Sequence, residues 1–410
     1  MEPRLLVLGA GRHQKALIRR AEERGLRVVA ADYYADAPGK ALASYPVDLD
    51  ALAVEENIAL ARKYAVRGVI TSGTDLALVT MAEVAAALGL PCYLTPRSAR
   101  TATDKSQMVR AFAEHGVPHA RALAVRSAGA QRVRFPAVVK PADSQGQRGV
   151  RKVSDARELE VALAGALELS KSRTALIEPF TPGFEVTASA WAKGAEVRIQ
   201  MITDRVTYNP LPAIGICFQH VYPSLRAAGL KEKVRELLRR IARGYGLDDA
   251  PLYVQMIVRG GQISVVEAAC RVGGGHEASL TPLATGVKVL DRLIDLALEG
   301  RSAAIDDAHD EAGARGHALV NFLLARPGTV HSLAGFEGNT RIVEGEYYVK
   351  PGHEQRAIVD GQGRVGYFIA QDATRAALLE RATQAYRSLT LSDAEGRNLL
   401  FAPEHAQLLG

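Results

Sequence analysis

Cysteine is scarce in this sequence, at three in 410 residues. Cys92, Cys217 and Cys270 lie far apart, without the spacing of a disulfide framework or a zinc site. That pattern suits a reduced, cytoplasmic protein. Long apolar runs are missing too. Stretches such as Leu5-Leu6-Val7-Leu8 fall far short of the roughly 20 residues a membrane-spanning helix needs, so no membrane partner is expected. No basic segment leading into an apolar stretch opens the chain, so no secretory leader is expected either. There is no block of one charge. The 51 Lys and Arg are offset by 45 acids, leaving a net +6 that predicts a bias toward anionic ligands and no nucleic-acid partner. What is there is ordinary for a globular chain, 48% hydrophobic and 23% charged, and long enough for two to three domains.

The first hundred residues alternate buried runs with helical patterns. Arg4–Leu8, Val28–Ala31, Gly68–Ile70 and Pro91–Leu94 read as strands, and Gln14–Arg24, Ala51–Tyr64 and Leu76–Leu88 as helices. Such alternation predicts a doubly wound parallel sheet. The turn Gly9-Ala10-Gly11-Arg12-His13-Gln14, with Asp32 later, half-matches a dinucleotide fingerprint. Gln14 stands where a small residue is needed for close helix–strand packing, so the match is incomplete. The turn could still hold a smaller anion at a helix N-terminus. Thr71-Ser72-Gly73-Thr74-Asp75 faces the same crevice, either as a ligand loop or as a plain turn with Thr74 as helix cap.

Further on, Phe135–Pro141 is a strand ending on Lys140, and a lysine there must snorkel or meet an anion. The polar loop Ala142–Gly149 follows, with Ser144, Gly146, Arg148 and Gly149. A strand at Thr174–Ile177 ends in Glu178-Pro179-Phe180, and Glu185 lies seven residues beyond Glu178. Tyr253–Val258 and Ile263–Val266 flank Gly260-Gly261 and read as a hairpin carrying Gln255 and Glu267. Arg271 and Gly273-Gly274-Gly275 come next.

In this order the pieces resemble the ATP-grasp superfamily of ligases: carboxylate–amine and L-amino acid ligases, with the layout of biotin carboxylase and carbamoyl phosphate synthase. The resemblance implies an α/β architecture in three parts. They are a Rossmann-like pre-ATP-grasp domain (1–98), a two-lobed ATP-grasp domain (99–312, with a lid lobe about 122–182) and a small β-rich C-terminal domain (313–410). It also implies residue roles. Lys105 and Lys140 would hold phosphates, and the loop with Ser144, Gly146, Arg148 and Gly149 would close over them. Glu178 and Glu185 would hold adenine and ribose, with Phe180 as the backbone donor because Pro179 has no N–H. Glu267 and Gln255 would hold Mg²⁺, for which Mn²⁺ can substitute. The family's Glu-x-Asn-x-Arg run is here Glu267-Ala268-Ala269-Cys270-Arg271, so Ala269 lacks an expected oxygen. Lys140, Arg148 and Arg271 would be catalytic, Arg271 as a fork on a carboxylate or acyl phosphate.

Tyr208 and His220 lie in a stretch that shapes the substrate pocket in the family. His220, taken as a loop residue, either takes a proton or is merely hydrogen-bonded. Gly274 would let substrate approach the backbone. From about Ala314 short strands are expected at Ala318–Leu324, Thr340–Val343, Tyr347–Val349, Arg356–Val359 and Gly366–Ala370, with a helix at Thr374–Ser388. The implied activity is ATP-dependent joining of a small carboxylate to a small amine, of the amino-acid ligase type, in a cytoplasmic homodimer. Carboxylase or formyl-phosphate transferase chemistry is the sibling reading. An NAD-dependent oxidoreductase and a non-catalytic nucleotide sensor are the readings from other classes.

Overall fold

A computed structural model describes residues 2–127, 133–302 and 316–403. The expected boundary at 312/313 lies outside the described residues. The N-terminal strands β1 (Arg4–Leu8), β2 (Arg27–Asp32), β3 (Tyr45–Asp48) and β4 (Gly68–Ile70) form a parallel sheet in the order β3-β2-β1-β4. β1 and β4 are apolar runs, and the only residue of the two that is not buried is Arg4. Being adjacent and parallel, they deliver the loops 9–14 and 71–75 to one edge of the sheet. Helices α1 (Lys15–Glu23), α2 (Val54–Lys63) and α3 (Leu78–Leu88) complete this layer.

Two expectations fail here. Pro91–Leu94 is not a strand; it leads into α4 (Pro96–Thr103), which Thr95 and Ser98 cap reciprocally with Pro96 in the first turn. Thr74 is not a helix cap, since α3 begins at Leu78 behind Ala77. Its hydroxyl accepts from the N–H of Leu76 at 3.4 Å instead.

Asp104 caps α5 (Lys105–Glu114) by accepting from the N–H groups of Ser106 and Gln107, which fixes Lys105 as the first helical residue. A small antiparallel sheet follows: β5 (Leu123–Val125), β6 (Ala137–Pro141), β7 (Arg151–Val153) and β8 (Ala175–Pro179), ordered β5-β8-β6-β7. Helix α6 (Ala156–Leu169) covers it, packing Leu159, Leu163 and Ala166 with Val139 and Ile177.

The main sheet is antiparallel and uses β9 (Phe184–Lys193), β10 (Glu196–Tyr208), β11 (Ile216–Tyr222), β12 (Asp249–Arg259), β13 (Gln262–Ala269) and β14 (His317–Leu323). The C-terminal strands are β15 (Gly328–Thr329), β16 (Ser332–Ala334), β17 (Glu344–Tyr347), β18 (Glu354–Gln355), β19 (Gly366–Asp372) and β20 (Thr390–Ser392). Eight of these strands run in one sheet, β13-β12-β9-β10-β11-β14-β19-β17, while β15–β18 and β16–β20 pair separately. The β-rich C-terminal segment therefore extends the central sheet through the β11–β14 pairing, Gln219 opposite Asn321. The strands expected at Thr340–Val343 and Arg356–Val359 do not form; β17 meets the expected Tyr347–Val349 only at Tyr347, and β18 ends just before Arg356.

Helix α7 (Lys231–Tyr245) lays Val234, Leu237, Leu238, Ile241 and Tyr245 on the sheet at helical spacing. Each such side chain contributes about 1.5–3 kcal/mol on full burial. Helices α8 (Glu277–Thr285), α9 (Val289–Glu299) and α10 (Arg375–Ser388) complete the fold. Among the described residues no helix is long and apolar enough to cross a membrane.

Candidate active site

Between the small sheet and the main sheet lies a cleft of about 850 Å³. Its walls bring together Lys105, Lys140, Ser144, Gly146, Arg148, Glu178, Phe180, Glu185, Tyr208, Gln255 and Glu267. Lys140 is the last residue but one of β6, and its ammonium lies 2.7 Å from Glu178 of β8, both side chains nearly shut off from water. The two face each other diagonally across the β6–β8 pairing, which sets Lys140 opposite Leu176 and Glu178 opposite Val138. Lys105 reaches Glu267 at 3.1 Å and donates to the carbonyl of Ser144 at 2.6 Å. Its backbone N–H also donates to Ala142, so one residue ties α5 to the glycine loop at two points. Burial pushes the Glu267 carboxyl up, but Lys105 and Lys140 outweigh it and hold it below the ordinary range.

Gln255 stands opposite Glu267 across the β12–β13 hairpin, as expected. Its amide N–H donates to Glu185 at 2.6 Å. Glu185 also accepts from Arg205 of β10, a buried guanidinium absent from the sequence reading. Burial works against the charge on Arg205, and the Glu185 carboxylate more than restores it. The loop between β6 and β7 turns on left-handed residues, Gly146 at φ +64° and Gly149 at φ +77°. The Ser144 hydroxyl closes the loop on itself by donating to the carbonyl of Arg148 at 2.8 Å. Arg148 is exposed on the cleft wall.

Phe180 differs from expectation. Its N–H donates to the carbonyl of Pro136 at 3.0 Å and is not available to a ligand. Its ring instead carries the Lys152 ammonium at 4.1 Å, a cation over an aromatic face within the cleft. His220 also differs. It lies within β11, not on a loop, 2% exposed and away from the cleft lining. Its ring is 3.6 Å from Glu277 and 3.3 Å from the Thr203 hydroxyl, and burial holds it well below the usual histidine range.

Arg271 is not free to fork onto a ligand. It is bound bidentately by Asp75 of the 71–75 loop, at 2.6 and 2.8 Å. Gly274 permits a close approach, but to protein: a side chain there would stand 2.6 Å from the carbonyl of Gly73. The 71–75 loop at the parallel-sheet edge is thus clamped onto the segment after β13. The other half of that edge is filled by Gln14, whose amide donates to Ser72 at 2.5 Å, while Asp32 accepts from the N–H of Ala10 at 2.8 Å. Tyr208 lines the cleft mouth edge-on to Phe401, 5.6 Å between rings. Asp75, Arg205, Lys152 and Glu277 were missed because nothing in a single sequence shows which distant surfaces meet; only the position of Asp75 after β4 was a signal.

Among the described residues no three His, Cys, Asp or Glu side chains are grouped as a metal site. Glu267 is one hard carboxylate with Gln255 opposite, and Ala269 adds no oxygen. That donor set fits a single Mg²⁺ that takes most of its shell from phosphate and water.

Residues 133–279 match the ATP-grasp domain model, and residues 321–392 match L-amino acid ligase C-terminal domain 2. Over 354 residues the chain is 27% identical to an uncharacterized protein of Sinorhizobium fredii, covering 82% of this chain and 71% of that one. It is 26% identical over 215 residues to the carbamoyl phosphate synthase large chain of Rubrobacter xylanophilus, which is 49% of this chain but 20% of the relative. The crystal structure of L-amino acid ligase from Bacillus licheniformis is similar in fold, with a TM-score of 0.79 at 18% identity. That similarity covers 96% of this chain and 99% of the other.

Proposed function

For a chain that belongs to the ATP-grasp superfamily of ligases, we propose an ATP-dependent ligation of a carboxylate to an amine. The γ-phosphoryl group passes from ATP to a carboxylate oxygen as its bond to the β-phosphate breaks and ADP is left. The amine nitrogen then attacks the acyl carbon, the carbon–oxygen bond breaks, and phosphate leaves. The observation that supports this most is the convergence of Lys105, Lys140 and Glu267, from three distant segments, on one cleft. Two nearly buried ammonium groups, each matched to an acid, give a polyanion fixed positive charge where water is scarce.

The glycine loop, tethered by Lys105, would shield the transferred group from water, which matters because an acyl phosphate hydrolyses readily. With the Phe180 N–H already used, a base would lie against the Phe180 edge of the cleft, beside Thr181. Glu185 and Arg205 fit the ribose end of the cleft. Glu267, with Gln255, would hold one Mg²⁺, which when bound neutralises charge on the phosphates. Asp75 orients Arg271, whose Nη1 donates to the neighbouring carbonyl of Val272 and would be the part left for a substrate oxygen.

The match of residues 321–392 to an L-amino acid ligase domain favours amino acids as acid and amine over a carboxylase or formyl-phosphate reaction. A second reading has one observation behind it. Ala269 removes an oxygen from the metal side, as a chain that binds nucleotide without turnover would tolerate.

The test is phosphate release from ATP and Mg²⁺ over amino acids offered singly and in pairs, with NAD reduction followed alongside. Release should require a pair and fall roughly 10²-fold or more in Lys140→Ala and Glu267→Ala. ATP binding with no release for any pair would favour the sensor, and NAD reduction would overturn the ligase.

A further inference from the structure

A set of arginine and histidine side chains gathers outside the nucleotide cleft, where the parallel-sheet loops meet the main sheet and its C-terminal extension. The Arg12 guanidinium lies 4.1 Å over the Tyr348 ring. His276 stacks on Tyr367 at 3.4 Å and its ring nitrogen lies 2.6 Å from the Tyr348 hydroxyl. Arg364 lies 4.0 Å over Phe322, whose ring is 5.9 Å from that of His276. His13 completes the ring, 6.4 Å from His276. Arg12 and His13 are exposed and Arg271, His276 and Arg364 half-buried. Burial lowers the proton affinities of His13, His276 and Arg364, whereas at Arg271 the Asp75 carboxylate outweighs it. The ring contacts hold these groups together at a junction that solvent still reaches, a place where a crevice for a ligand would form.

The acids nearby are spoken for. Asp75 binds Arg271, Glu346 holds Lys15 at 2.5 Å, and Glu344 accepts from the Tyr367 and Ser279 hydroxyls. Glu277 accepts from the N–H of Gly275 at 2.6 Å. Arg364 donates to the carbonyl of Gly361 at 2.7 Å, and neither it nor Arg12 meets a carboxylate among the described residues. Unmatched guanidinium groups crowded in a sheltered place destabilise one another, and an anion of fitting shape relieves that cost. The crowding registers on His13, which burial, then Arg364, Arg271 and Arg12, bring down to about 4.

We propose that this crevice seats the acid substrate of the ligation, and that the substrate carries a second anionic group, carboxylate or phosphate, gripped by Arg12 and Arg364. The first carboxylate faces Arg271 and the nucleotide cleft, an assignment that rests on the ligase reading. The grip is coupled to the cleft through the turn bearing Arg364. The N–H of Gly361 in that turn donates to the carbonyl of Gly146 in the glycine loop at 2.8 Å.

The full chain, without nucleotide, is titrated calorimetrically with L-aspartate, L-glutamate and O-phospho-L-serine, and with L-asparagine, L-glutamine and L-serine as neutral counterparts. At least one dianionic side chain should bind, with its neutral counterpart tenfold weaker or more. Arg364→Met should weaken that binding roughly 10- to 100-fold. Arg12→Met, at an exposed position, does the same and serves if the first variant fails to fold. The tighter of L-glutamate and O-phospho-L-serine identifies the second group as carboxylate or phosphate, and its binding should raise the His13 titration seen by NMR. Equal binding of charged and neutral forms, no loss in either variant, or no binding by any of the six overturns the proposal. ATP binding to the unaltered chain is measured separately. Its absence would sink the ligase reading and leave the anion titration to stand or fall alone.

Discussion

Lys140 and Glu178 survive with little water around them because each is the other's counter-charge, 2.7 Å away. Removing one partner of such a pair leaves an uncompensated charge and costs about 3–5 kcal/mol, whereas removing both is far milder. Lys140→Met should therefore lose stability of that order in urea denaturation, together with phosphate release. Lys140→Met/Glu178→Gln should regain most of the stability and none of the release. A double variant as unstable as the single one would show that packing, not charge, is what Lys140 supplies. Lys140 was legible because an ionisable side chain late in an apolar strand must find a partner, and Glu178 through the family resemblance alone. Asp75 and Arg205 were not, since what identifies them is the residue they hold, Arg271 and Glu185, which the chain brings to them only on folding. The crevice lay between these cases. The Gly9–Gln14 turn reads as an anion seat in the sequence, but Arg364 arrives from more than three hundred residues away.

Apolar runs, Leu5–Leu8 of β1, Val69 and Ile70 of β4 and Ala137–Val139 of β6, were readable because burial leaves little else they could be. β3 was invisible, a half-exposed edge strand containing Pro46. Pro91–Leu94 looked like a strand and is the approach to a capped helix, a case where cap chemistry at Thr95 decides the local structure. The glycine loop is the element on which the proposed chemistry depends most, and it is held at Lys105 and at Gly361. Gly149 adopts φ +77°, and an added Cβ would sit 2.7 Å from Leu169 Cδ1 and 2.9 Å from Pro141. Gly149→Ala should cost about 1–3 kcal/mol, open the loop to protease and raise the KM for ATP. Gly165→Ala, inside α6 with nothing within 4 Å, should instead be neutral or gain up to about 1 kcal/mol. If both behave alike under proteolysis and urea, the loop's backbone conformation is not a constraint.

At the scale of the whole molecule, acid should be the adverse condition. Burial, with neighbouring arginines, lowers His13 to about 4 and drives His220 and His276 well below the ordinary histidine range. Unfolded, all three titrate near 6.5. Below that value the unfolded chain binds more protons than the folded one, so stability rises with pH across the window and is lost as pH falls through it. Glu267, held below the usual carboxylate range, adds a loss at still lower pH. Glu277, pushed up by burial, works with the opposite sign and offsets one group among four. The urea midpoint should fall steadily from pH 7 to pH 4, less steeply in His13→Asn; a midpoint that is flat or rises over that range would contradict the histidine assignments. The continuous sheet has a separate consequence. β11 has all seven residues buried, with β10 bonded along one side and β14 along the other. A chain stopped short of β14 would end in a raw apolar margin, ready to recruit any strand it met and to clump with its own kind. The C-terminal strands are thus a guard against aggregation before they are part of any site.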